Sequence, residues 1–257
     1  LFCYYIYKNK FMKVILMKTI SKQELEKTLE KHYLWLKNNN AGEKADLKEL
    51  RLENMDLRGY CLSNIDFSWS DLINLNLEKA DLENSIFNNS YLSDCSLKNS
   101  ILKNADLSGA SFRFCDLSNS DIRGANLENS NLEHATLNGV ISDESTRFFK
   151  LYCPETGAFI GYKKCFNFRM VQLLIPSDAK RVSATSNACR CDKAKVLSIT
   201  SIDGKESFKS ARAYADENFI YRVGETIVAE DFNENRWKES TTGIHFFLTR
   251  EEAIGYL

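Results

Sequence analysis

Every fifth residue from Leu47 onward is large and apolar: Leu52, Leu57, Leu62, Phe67, Leu72, Leu77, Leu82, Phe87, Leu92, Leu97, Leu102, Leu107, Phe112, Leu117, Ile122, Leu127, Leu132 and Leu137. A helix repeats at about 3.6 residues and a strand at about 2, so neither keeps residues five apart on one face. Two residues ahead of each centre runs a second series, small from mid-array onward: Ala80, Ser85, Ser90, Cys95, Ser100, Ala105, Ala110, Cys115, Ser120, Ala125, Ser130 and Ala135. Extended backbone sends residues two apart to the same side, so both series point inward. Each five-residue unit then needs a corner. Four corners close a square coil of about twenty residues, and successive coils stack at the strand spacing of about 4.8 Å.

Composition fits a chain that turns by unusual means. Its 257 residues include only two prolines and eleven glycines, fewer than a loop-rich enzyme or a β-sandwich uses. A formal net charge of -1 excludes a globally basic nucleic-acid binder. A hydrophobic fraction of 44% excludes disorder of the whole chain. The neutrality is an average, because residues 1–44 hold nine bases and four acids while residues 45–139 hold eight bases and fifteen acids.

From Ala45 to Gly139 the units follow an A(D/N)LXX pattern, with Asp46, Asp56, Asp66, Asp71, Asn76, Asp81, Asp106, Asp116, Asp121, Asn126 and Asn131 between the two inward series. This resembles the pentapeptide-repeat family. The resemblance implies a mainly β chain built on a right-handed quadrilateral β-helix of about five coils. Open coil ends expose unpaired edges and an apolar column, so both need caps. Ser21 followed by Glu24 is a capping-box pattern, and Leu25, Leu29, Tyr33 and Leu36 trace an apolar stripe, which predicts an N-terminal capping helix. The stretch from His32 through Trp35 and Leu36 to Leu47 resembles the start of phage-type members. Trp35 and Leu36 are expected to pack on the first coil and His32 to be structural. Leu50, Met55, Tyr60 and Ile65 are too large for a tight square and mark the join.

The resulting boundaries are a disordered extension at 1–20, a capping helix and lead-in at 21–44, the β-helix at 45–143, and a small α+β domain at 150–257. Lys8, Lys10, Lys13 and Lys18 interrupt the apolar extension, so it does not read as a membrane span. Leu1, with Met12 and Met17 close behind, suggests an upstream extension of the natural start.

Residues twenty apart stack. One face carries Asp46, Asp66, Ile86 and Asp106, and the opposite face carries Asp56, Asn76, Ser96 and Asp116. The resemblance brings in acidic DNA mimics that bind bacterial topoisomerases, for which Asp46, Asp66, Asp106, Asp56 and Asp116 would form the acidic face. Ile86, Tyr91 and Ile101 break those ladders, which weighs against a copy of phosphate spacing. Trp69, Ile73, Ile86, Tyr91 and Phe114 face outward, and clustered exposed apolar groups mark an interface. The C-terminal segment folding back over them is favoured over a partner or self-association site. Cys95 and Cys115 stack inward and are expected to be reduced core thiols.

Beyond Val140 the composition changes. β-type runs cover 159–162, 171–175, 195–202 and 219–229, the last with a hairpin at Gly224, and Thr249 with Glu252 forms a second capping box. The stretches FIGYKKC, LLIPSDAKR and GIHFFLTREEA resemble a C-terminal domain of undefined function that accompanies pentapeptide repeats in phage and prophage proteins. His245 and Arg250 are the candidate C-terminal site as an acid/base pair, although His245 alternates within an apolar strand that suits a structural histidine. Cys189-x-Cys191 is one residue short of a zinc knuckle, Cys153 and Cys165 lack a second CxxC, and no metal or cofactor is expected. Lys163-Lys164 and Lys180-Arg181 read as solvated basic faces.

These features point to a non-enzymatic, cytoplasmic protein whose rod is a rigid protein-interaction module. The phage-type resemblance implies a phage or prophage origin and action on a host protein. Direct nucleic-acid binding and membrane association are not expected, and the oligomeric state is open. The alternatives are an acidic mimic that inhibits a bacterial topoisomerase or another DNA-binding enzyme, and an unrecognised enzyme in the C-terminal domain.

Overall fold

The computed structural model describes residues 17–214, 218–238 and 241–256. They divide into two compact units, one ending at Arg147 and one beginning at Phe148.

The first unit contains β1 (Lys18–Thr19), α1 (Lys22–Lys37), β2 (Leu50–Glu53), β3 (Asp71–Ile73) and β4 (Tyr91–Ser93). The strands form one parallel sheet in the order β1-β2-β3-β4. Outside it, single parallel bridges link residues twenty apart: Asp46, Asp66, Ile86, Asp106 and Asn126 in one column, and Asp56, Asn76, Ser96, Asp116 and Thr136 in another. Each coil therefore takes twenty residues. The apolar centres from Leu47 to Leu132 are buried, and Leu137, at the last repeat, is half-buried. Of the inward serines, Ser85 and Ser90 donate to the carbonyls of Leu82 at 2.6 Å and Phe87 at 2.7 Å.

The corners have one conformation. The residue two after each centre is left-handed, with φ between 51° at Asn74 and 72° at Gly124. Asn and Gly dominate that position because they tolerate positive φ. The Asp or Asn before each centre completes the turn: its side chain accepts the amide two residues on, as with Asp66 and Ser68 at 2.9 Å or Asn131 and Glu133 at 2.9 Å. The recurring Asp/Asn is thus part of how the chain turns.

Helix α1 begins at Ser21, whose hydroxyl accepts the Glu24 amide while the Glu24 carboxylate accepts that of Ser21. Leu25, Leu29 and His32 are buried. The expected stripe through Tyr33 is corrected: seven residues make almost two full turns, so His32 shares the face of Leu25. Tyr33 is exposed, with the Lys37 ammonium 4.3 Å from its ring centre. Trp35 and Leu36 are half-buried. Of the large residues expected at the join, Ile65 is buried, Leu50 and Met55 are half-buried and Tyr60 is exposed. Most of the extension expected to be disordered lies outside the described residues. Its last residues are ordered, with β1 paired to β2 and the Ile20 amide donating to Arg51 O at 3.1 Å.

The second unit contains β5 (Phe159–Cys165), β6 (Arg169–Ile175), β7 (Arg181–Ser183), β8 (Cys189–Cys191), β9 (Lys193–Ser201), β10 (Ser210–Arg212), β11 (Ile220–Arg222), β12 (Thr226–Val228), β13 (Ile244–Phe246) and α2 (Arg250–Gly255). Its sheets run β12-β9-β6-β5, β13-β8-β7 and β10-β11. They enclose a core that includes Val171, Leu173, Ile175, Val196, Tyr221 and Phe246. The hairpin expected at Gly224 does not form: β11 pairs with β10 and β12 with β9, so the two arms join different sheets. Helix α2 begins with the Thr249–Glu252 capping box.

Candidate functional site

The outward apolar residues of the rod fall around two corners. Trp69 is a corner residue with φ of 60° and 46% exposure, and its amide donates to Asn88 O at 3.0 Å. Tyr91 begins β4 beyond the same corner one coil later, and lies opposite Asp71 in the ladder. Ile73 ends β3, and Ile86 stands between Asp66 and Asp106 in its column. All three are half-buried. Phe114 belongs to the next corner along, with φ of 61° and 55% exposure. It stacks on His134, the corner residue twenty further on, with ring centres 4.9 Å apart and planes 6° apart. The Arg113 guanidinium lies 5.5 Å from the Phe114 ring centre. Trp69, Ile73, Ile86 and Tyr91 therefore cluster by register, and Phe114 pairs with His134.

The acidic positions are largely neutralised where they stand. Lys48 Nζ lies 3.2 Å from Asp46 and 3.8 Å from Asp66. Arg58 meets Asp56 at 2.6 Å, and Lys98 meets Asp116 at 3.0 Å. Asp106 accepts from the Ser108 hydroxyl at 2.6 Å and from Asn126 Nδ2 at 3.3 Å. Beside Asp121, hydrogen bonds from Arg123 hold the carboxyl down at about 2. The carboxylates are thus engaged in corner hydrogen bonds and local ion pairs.

In the second unit, His245 is half-buried in the middle of β13, opposite Arg190 of β8. Its carbonyl accepts from Lys163 Nζ at 3.1 Å. Arg250 donates to the carbonyls of Ser201 at 2.8 Å and Ile202 at 2.6 Å, so its guanidinium ties the start of α2 to the end of β9. The basic spots are not simply solvated. Burial pushes the Lys163 ammonium below its ordinary value, and Lys164 Nζ donates to Ile254 O at 2.9 Å. Lys180 pairs with Glu234, and Arg181 donates to several carbonyls. Cys95 and Cys115 are free, buried thiols, and the Cys95 thiol lies within hydrogen-bond reach of Leu72 O at 3.3 Å. Sequence spacing did not indicate that Cys153 meets Cys189, because that pairing depends on which strands become neighbours. Among the described residues no group of His, Cys, Asp or Glu could hold a metal ion, and no helix is long and apolar enough to cross a membrane.

Comparison with known proteins separates the same two regions. Residues 45–139 match the model for pentapeptide repeats in overlapping segments, and residues 149–253 match a family of unknown function (DUF5758). None of the curated proteins matches the chain. Among solved structures, the chain is similar to the pentapeptide repeat protein Rfr23 from the cyanobacterium Cyanothece 51142, at 32% identity over 42% of this chain and 67% of that one, with a TM-score of 0.17. It is similar to HetL from Nostoc sp. strain PCC 7120, a pentapeptide repeat protein involved in heterocyst differentiation regulation, at 17% identity over 44% of this chain and 83% of that one, with a TM-score of 0.20. It is also similar to QnrB1, a plasmid-mediated fluoroquinolone resistance protein, at 18% identity over 42% of this chain and 69% of that one, with a TM-score of 0.17. Through its five-residue repeat this chain belongs to the pentapeptide-repeat family, and it carries behind that repeat a domain of unknown function.

Proposed function

We propose that the rod is a non-enzymatic, rigid protein-interaction module, with Trp69, Ile73, Ile86 and Tyr91 as the centre of its docking face and Phe114 at the margin. The observation that carries this reading is the backbone under the exposed rings. Trp69 and Phe114 occupy left-handed corners where Asn and Gly recur elsewhere. A bulky side chain there costs about 1–2 kcal/mol. Large rings kept exposed at that cost suit contact with a partner, since Trp and Tyr dominate the centres of protein interfaces. The acidic alternative draws less support, because its carboxylates are occupied by corner amides and neighbouring cations.

The test compares wild type with a Trp69→Asn/Tyr91→Ser variant in affinity capture from bacterial lysate and in sedimentation. Asn restores the residue type the corner favours, so the melting temperature should not fall by more than a few degrees. Loss of a captured protein, or of self-association, in a variant that still folds supports the docking face. Identical capture and identical mass in both proteins would remove it.

A further inference from the structure

The second unit brings together two thiols that are far apart in the chain. Cys189 opens β8, and its neighbour across the ladder is Ser183 of β7. The Ser183 hydroxyl accepts the Tyr152 amide at 2.7 Å. That anchor holds the segment before β5 beside the Ser183–Cys189 rung, so Cys153 and Cys189 come together in one core cluster, with the Cys189 thiol donating to Asn187 O at 3.6 Å. Exposure is 2% at Cys153 and 0% at Cys189.

Two guanidiniums are fixed around the pair. Arg181, also on β7, donates to Gly157 O at 2.7 Å and Pro154 O at 3.5 Å. Arg236 donates to Ser183 O at 2.9 Å and Ala184 O at 3.3 Å. Proximity to Cys189, with both cations assisting, lowers the Cys153 thiol from its ordinary value, and proximity to Cys153 together with burial raises Cys189. An electropositive setting favours the thiolate, the nucleophilic form of a cysteine.

We propose that Cys153 and Cys189 form a redox modification site, a dithiol that hydrogen peroxide converts into an intramolecular disulfide. The Cys153 thiolate attacks one peroxide oxygen, breaking the O–O bond to give a sulfenic acid and hydroxide, which takes up a proton to become water. Cys189 sulfur then attacks the sulfenyl sulfur. The S–S bond forms as the S–O bond breaks, and the departing oxygen with the Cys189 proton leaves as the second water. Two thiols lose two electrons and peroxide gains them. Peroxide is small enough to reach a buried sulfur through local opening.

Cys95 and Cys115 provide an internal control. They are also a neighbouring buried pair, but the charge beside them is the Asp94 carboxylate, and they stack one coil apart inside the rod.

The experiment exposes the full chain to a modest excess of hydrogen peroxide, blocks remaining thiols by alkylation and maps linkages by mass spectrometry. The expected product is a 153–189 crosslinked peptide that dithiothreitol reverses, with Cys95 and Cys115 still alkylated as thiols. In Cys189→Ser, Cys153 should be trapped by dimedone as the sulfenic acid. Arg236→Leu should slow crosslinking measurably, and Arg236→Lys should retain most of the rate. Crosslinking of Cys95 to Cys115 at the same rate, or a 153–189 link that appears only in denaturant, would overturn the proposal.

Discussion

The amide of Ala45 donates to Nδ1 of His32 across 3.1 Å. With Nδ1 accepting, the ring proton sits on Nε2, which faces Ser63 O at 2.9 Å. One neutral imidazole thereby joins α1 to the backbone of the first coil at two points. The ring is buried and stacked on Trp35 at 5.5 Å.

Protonation would put N–H against N–H at Ala45. Burial is the main cause that lowers the His32 pKa, with the Ser63 carbonyl opposing it. The unfolded chain therefore takes up the proton first. The stability His32 contributes is complete above about pH 6.5 and is lost as pH falls from there toward the folded value, at up to about 1.4 kcal/mol per pH unit. Urea titrations of the wild type between pH 7 and pH 5 should show this slope, and His32→Gln should flatten it. An equal slope in both proteins would place the titration elsewhere.

Two corner glycines should respond unequally to the same substitution. Gly59 has φ of 68° with open space where a Cβ would lie. Gly109 has φ of 66°, but a Cβ there would lie 2.3 Å from Asn89 Oδ1, the corner side chain one coil earlier. Gly59→Ala carries only the left-handed penalty, about 1 kcal/mol. Gly109→Ala must also displace Asn89 and should cost about 2 kcal/mol. Denaturant midpoints measured side by side decide this, and equal losses would mean that Asn89 yields without resistance.

The rod was legible because its instruction is local and repeated: inward Leu or Phe with a small residue two before it states the coil many times over. The meaning of the recurring Asp was less legible. Sequence register shows that Asp66 and Asp116 lie outward, but only the backbone shows them accepting the amides of Ser68 and Ser118. The left-handed corner was visible at its glycines and hidden at Trp69, Lys79 and Phe114, where the interlocked coil overrides local preference. In the second unit, strand runs were readable and strand partners were not. The arms flanking Gly224 separate into different sheets, and Cys153 meets Cys189 instead of a cysteine nearer in sequence, because both outcomes are set by distant pairing.

Asp71 is a buried carboxylate at 3% exposure, 3.8 Å from Arg51 Nη1. Burial raises its pKa, and Arg51 only partly opposes that. A raised carboxyl favours the folded state when protonated, so the charged form is a liability at neutral pH. Asp71→Asn should stabilise the rod by about 1 kcal/mol at pH 7. The gap between variant and wild type should close as pH falls through the folded pKa of Asp71. A destabilised Asn variant at pH 7 would show instead that the Arg51 pair outweighs the cost of burial.

Arg190 on β8 is buried and donates to four main-chain carbonyls: Asn233 and Thr242 at 2.9 Å, Asn235 at 3.1 Å and Lys238 at 2.9 Å. Its guanidinium stands in for the regular ladder that this irregular segment lacks. A lysine keeps the charge but presents three donors from one point and cannot span the same fork. Arg190→Lys should therefore cost about 2–3 kcal/mol, close to the loss from Arg190→Ala. Amide exchange should quicken across 231–238 before it does in β6 or β9. The exposed Arg212→Lys should change neither measurement. A silent Arg190→Lys would show that charge alone holds the segment; a loss confined to it would show that the planar five-donor geometry is what this position requires.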